Sequence, residues 1–105
     1  MKKVISEYLS SVDKTSSEIK FKDALKSFLL YLERAGIEPE KWDYDYNKYE
    51  FVFGLYFNKT ESFSKINEIF KKSLLANYSN KFDLTVRGEM FVNGKKIEDE
   101  LLISK

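Results

Sequence analysis

Between residues 49 and 57 every odd position (Tyr49, Phe51, Phe53, Leu55, Phe57) is apolar or aromatic, whereas the even positions Glu50, Val52, Gly54 and Tyr56 are mixed. That period of two predicts a strand with one face in the core. Upstream the period lengthens. Residues 3–12 place Val4, Ile5, Tyr8, Leu9 and Val12 on one side, the spacing of a short amphipathic helix. Thr15-Ser16-Ser17-Glu18 has the form of a capping box, in which hydroxyl and glutamate satisfy each other's orphan backbone N–H groups. A helix over about 16–35 is expected from it, burying Ile19 or Phe21, Leu25, Phe28, Leu29 and Leu32. Gly36 suits its C-cap, and Pro39 bars simple continuation.

A third helix is expected over about 61–77, with Phe63, Ile66, Phe70 and Leu74 as its stripe. Glu61–Lys65 and Glu68–Lys72 form favourably oriented pairs along it. Asn93-Gly94 then predicts a type I′ hairpin turn. Uninterrupted pairing from that turn sets Val92 opposite Lys95, Met90 opposite Ile97, Val86 opposite Leu101 and Leu84 opposite Ile103. Asp83, Thr85, Arg87, Glu89, Lys96, Glu98 and Glu100 then share the other face. The order helix, helix, strand, helix, strand, strand predicts a two-layer α+β domain. Its three helices pack on one face of a small, about three-stranded sheet that ends in a C-terminal β-hairpin. If the first strand lies parallel to its next neighbour, the 61–77 helix is a right-handed crossover.

The 105 residues suit one domain over 1–105, and 43% hydrophobic with 16% aromatic content supplies a core. Eighteen basic against seventeen acidic residues leave a net charge of +1, with no global pull toward nucleic acid or anionic membrane. Lysine outnumbers arginine sixteen to two, the reverse of what bidentate base reading favours. Met1-Lys2-Lys3 is followed by Glu7 and by no apolar run of signal-peptide length, and no stretch is long and apolar enough for a membrane span. A cytoplasmic location is the expectation.

Histidine and cysteine are both missing. Their absence removes imidazole acid/base catalysis, thiol nucleophiles and the usual zinc sites. No enzymatic activity, metal or cofactor is expected. Glu98-Asp99-Glu100 does not converge on a cation, because only Glu98 and Glu100 share a side of a strand. Arg87-Gly88 and Phe91-Val92 are similar to part of the RNA-recognition-motif consensus. However, Glu89 and Gly94 occupy expected aromatic positions and the element order differs.

Two surfaces remain as binding candidates. The first is the connection Trp42-Asp43-Tyr44-Asp45-Tyr46 with Glu50, read as a loop that combines the single tryptophan with tyrosines and acids. Trp42, Tyr44 and Tyr46 are candidate anchors, and Asp43, Asp45 and Glu50 would oppose a basic partner surface. The competing reading folds Trp42 back as a core plug. The second is the sheet face away from the helices, carrying Val52, Tyr56, Phe91 and Leu102, extended by Tyr44 and Tyr46. The expected function is a small protein-binding module in the style of immunity proteins, antitoxins and phage-encoded inhibitors. Two alternatives stand beside it. One is a nucleic-acid-binding accessory protein using the open face with Lys71, Lys72, Lys81 and Arg87. The other is a component that forms a homodimer through an exposed sheet edge.

Overall fold

The computed structural model describes residues 12–47 and 49–104. Along the chain run α1 (Val12–Arg34), β1 (Lys41–Tyr46), β2 (Glu50–Phe57), α2 (Phe63–Lys71), α3 (Leu74–Lys81), β3 (Thr85–Val92) and β4 (Lys95–Ser104). The strands form one sheet in the order β1-β2-β3-β4, with β2 and β3 parallel and both outer pairs antiparallel. The α+β class agrees with the sequence pattern, but the sheet has four strands rather than about three. The expected helix over 3–12 lies outside the described residues except for Val12.

Thr15–Glu18 lies inside α1 rather than at its start. Glu18 does not cap the helix; its carboxylate accepts a hydrogen bond from the Tyr44 hydroxyl at 2.9 Å. Phe21, Leu25, Phe28 and Leu32 are buried, and Ile19 faces solvent. Gly36 ends the helix as expected. Its φ is +84°, and the Ile37 N–H bonds Leu32 O while the Gly36 N–H bonds Glu33 O, a Schellman closure. The expected 61–77 helix is in fact two. Ser62 caps α2, and Ser73 interrupts the stripe by capping α3, each hydroxyl accepting from the backbone N–H three residues on. A serine that satisfies a free N–H competes with helix continuation, and periodicity alone does not register this.

The segment read as a loop at 42–46 is the edge strand β1. Asn47 turns it back, its side-chain oxygen accepting from the backbone N–H groups of Tyr49 and Glu50 at 2.7 and 3.0 Å. Tyr49 precedes β2 and is exposed, not part of the core face.

The hairpin turn is as predicted, with φ of +52° at Asn93 and +83° at Gly94. The register beyond it is not. Val92 pairs with Lys95 and Phe91 with Lys96, but Glu89 then pairs with Leu101, Arg87 with Ile103 and Val86 with Ser104. Two steps on β3 therefore match five on β4, leaving a bulge with three extra residues. An odd number reverses the facing of everything after it. Leu102 is buried, whereas Ile103 is 53% exposed on the opposite face. In the uninterrupted pairing Gly88 would face position 99, an aspartate, on the core side; the bulge sets Leu102 there instead.

All three helices and the inner sheet face share one core, dominated by phenylalanine. Phe21 stacks on Phe51, and Phe28 meets Phe53 and Phe70 edge-on. The opposite face of the sheet carries no helix of the described residues.

Candidate functional site on the open sheet face

Paired residues share a face, so the registers lay out the open side row by row. Asp45, Val52, Arg87 and Ile103 form one row. Asp43, Gly54, Glu89 and Leu101 form the next, and Lys41, Tyr56, Phe91 and Lys96 the third. The alternation of β1 therefore divides the Trp-Asp-Tyr-Asp-Tyr cluster between the two sides of the sheet. Asp43 and Asp45 stand on the open face with Glu50. Trp42, Tyr44 and Tyr46 point to the helix side, half-buried against the core. Tyr44 stacks on Phe51, Tyr46 approaches Phe21, and Trp42 lies beside Leu29 and Pro39. Tyr44 and Tyr46 do not extend the open face, and Leu102 does not belong to it. Leu101 and Ile103 take that place.

A shallow depression of about 370 Å³ occupies the centre of this face. Gly54 and Val52 form its floor, and Asp43, Asp45, Glu50 and Glu89 surround it with Arg87. A Cβ at Gly54 would lie 2.7 Å from Asp43 Oδ1, so any larger residue would push the Asp43 carboxylate aside. At one end Arg87 Nη2 is 3.5 Å from Glu50 Oε1, and the Arg87 Nε is buried without a hydrogen-bond partner among the described residues. At the other, Glu89 Oε2 is 3.1 Å from Lys96 Nζ. Asp43 and Asp45 form no ion pair among the described residues.

The third row is aromatic. Tyr56 and Phe91 stack at 4.5 Å with an interplanar angle of 10°, and Lys41 Nζ sits 4.9 Å from the Tyr56 ring centre. The Tyr56 hydroxyl donates to Asp43 Oδ2 at 2.9 Å. That bond raises the phenol above its ordinary pKa of 10.0, with burial and the nearby Asp43 and Glu89 charges acting in the same direction. The arrangement offers carboxylate acceptors beside a rigid aromatic pair. No group of three or more potential metal ligands occurs among the described residues.

Sequence reasoning singled out Val52, Tyr56 and Phe91 and set Glu89 and Lys96 on the polar face of the hairpin, but it missed Lys41 and Gly54 as members of the same surface. Their signal was the period-two pattern, which assigns a face but not the neighbouring strand. The lysines of the nucleic-acid alternative do not gather on this face. Lys71 and Lys72 line a separate groove between the α2–α3 junction and β4, and Lys81 lies over Phe82 at the end of α3. No described helix is long and apolar enough to cross a membrane. Comparison with protein-family models, characterised proteins and solved structures returns no match.

Proposed function

We propose that this protein is a small, non-enzymatic binding module whose open sheet face docks on a basic surface of a partner protein. The observation that carries this reading is the depression over Gly54. It sets four carboxylates around Arg87 beside the half-buried Tyr56–Phe91 pair, which Lys41 and Lys96 flank. Aromatic side chains provide rigid contact area at low entropic cost, and uncompensated carboxylates steer a basic partner into register. Anchor roles therefore pass from Trp42, Tyr44 and Tyr46 to Tyr56 and Phe91, while Asp43, Asp45 and Glu50 keep the steering role. An immunity- or inhibitor-type antagonist, of the kind phages encode, works in this way by occupying a surface its target needs. Phosphate-rich ligands suit this face poorly, because Asp43, Asp45, Glu50 and Glu89 line the same depression as Arg87.

Affinity capture from an extract of the native host tests the proposal. A basic partner should be retained by the unaltered protein and by Lys71→Glu/Lys72→Glu, and lost with Asp43→Lys/Glu89→Lys or Tyr56→Ala/Phe91→Ala. Loss with the Lys71/Lys72 variant alone would move the interface to the helix side.

A further inference from the structure

We infer that Asp99 sets the pairing of β4, holding the strand in the first of two registers that lie three residues apart. The observed register contains the bulge and pairs Arg87 with Ile103 and Gly88 with Leu102. The second is the uninterrupted pairing from the same Asn93-Gly94 turn. It keeps Val92 opposite Lys95 and Phe91 opposite Lys96, so the hairpin needs no new turn, and only residues 97–104 move, by about 10 Å along β3 at the usual rise.

Both registers place apolar side chains on the core side. The observed one buries Leu102 and leaves Ile103 exposed. The uninterrupted one would set Leu101 and Ile103 on the core side opposite Val86 and Leu84, turn Leu102 outward, and bring Glu100 opposite Arg87. By apolar residues alone the second is the better pairing, and it leaves no ladder bonds unmade. Against it stands position 99, which would oppose Gly88 on the core side. Gly88 lies directly beneath the Phe53 ring, and the three atoms nearest to a side chain there are carbons of that ring. The Ser79 hydroxyl lies 2.7 Å from Ser104 O, and Ser104 Oγ donates to Ala76 O at 3.2 Å; both contacts add to the observed register. The charge at position 99 is the larger obstacle, because a carboxylate set against the Phe53 ring would lose its hydration. The observed register is also the one that displays Leu101 and Ile103 on the open face.

The chain has no cysteine, so disulfide trapping reads the register directly. A disulfide needs Cα atoms within about 7 Å. Arg87→Cys/Ile103→Cys reports the observed pairing, Arg87→Cys/Glu100→Cys the uninterrupted one, and Arg87→Cys/Glu98→Cys neither. Oxidation rates of the three are compared with Asp99 present and with Asp99→Val. With Asp99 the Ile103 pair should close fastest by far. In the Asp99→Val background the ratio of Glu100-pair to Ile103-pair closure should rise at least tenfold, with the Glu98 pair remaining slow. A smaller rise overturns the inference. Equal closure of all three pairs, as from an unfolded chain, also overturns it.

Discussion

Gly88 shows how much a single side chain, or its absence, decides here. It pairs with Phe53 across the parallel β2–β3 ladder, and any Cβ would collide with three atoms of the Phe53 ring. The Arg-Gly dipeptide that is similar to a nucleic-acid motif is thus explained by core packing. Gly88→Ala should cost ~1–3 kcal/mol in urea denaturation, because Phe53 is fixed between Phe28, Phe51 and Phe70 and has no free rotamer to retreat into. On the other side of the sheet, Tyr56 is held protonated by its bond to Asp43. A group whose folded pKa is raised adds stability below its unfolded value of 10.0 and loses it as pH climbs through the folded value. Ultraviolet titration of the phenols should therefore show a component that ionises later than the ordinary value. Asp43→Asn, which removes both the carboxylate acceptor and its charge, should return that component toward 10.0.

At the scale of elements, β2, the body of α1 and the Asn93-Gly94 turn were legible because each rests on local chemistry: period, cap and positive φ. The break at Ser73 and the bulge in β4 were not. Both arise where a polar residue, Ser73 or Asp99, competes with an otherwise uninterrupted apolar pattern, and the outcome depends on what lies opposite. β1 was hidden for a different reason. Its Trp-Asp-Tyr-Asp-Tyr alternation is a strand period, but aspartate disfavours strands, and seven residues between Pro39 and Asn47 resemble a connection. Strand alternation then separates the candidate acids from the candidate anchors, a division that no list of residues reveals. Trp42 is the test of this placement. It is half-buried on the helix side, so Trp42→Ala should cost ~2 kcal/mol of folding stability, below the ~3–5 kcal/mol of a fully buried tryptophan. Calorimetric melting should show the loss, and an unchanged Tm would return Trp42 to the surface as an anchor.

For the molecule as a whole, the two sheet edges and the open face differ in what they invite. β1 is short and carries Asp43 and Asp45, and the bulge in β4 interrupts the other edge. Both features discourage edge-to-edge pairing of the kind a homodimer through β-strands needs. The open face has no such protection: Tyr56, Phe91, Leu101 and Ile103 share it with the Gly54 depression, without a covering helix among the described residues. Site-specific photocrosslinking measures most directly whether a basic partner docks there. A photoreactive benzoylphenylalanine is placed at Val52, on the depression floor, and in a parallel protein at Leu30, exposed on α1. After irradiation in an extract of the native host, position 52 should yield an adduct with a protein through a lysine- or arginine-rich segment. Position 30 should yield none, and Asp43→Lys/Glu89→Lys should abolish the adduct. No adduct from position 52, or one that survives the charge reversal, would contradict the account.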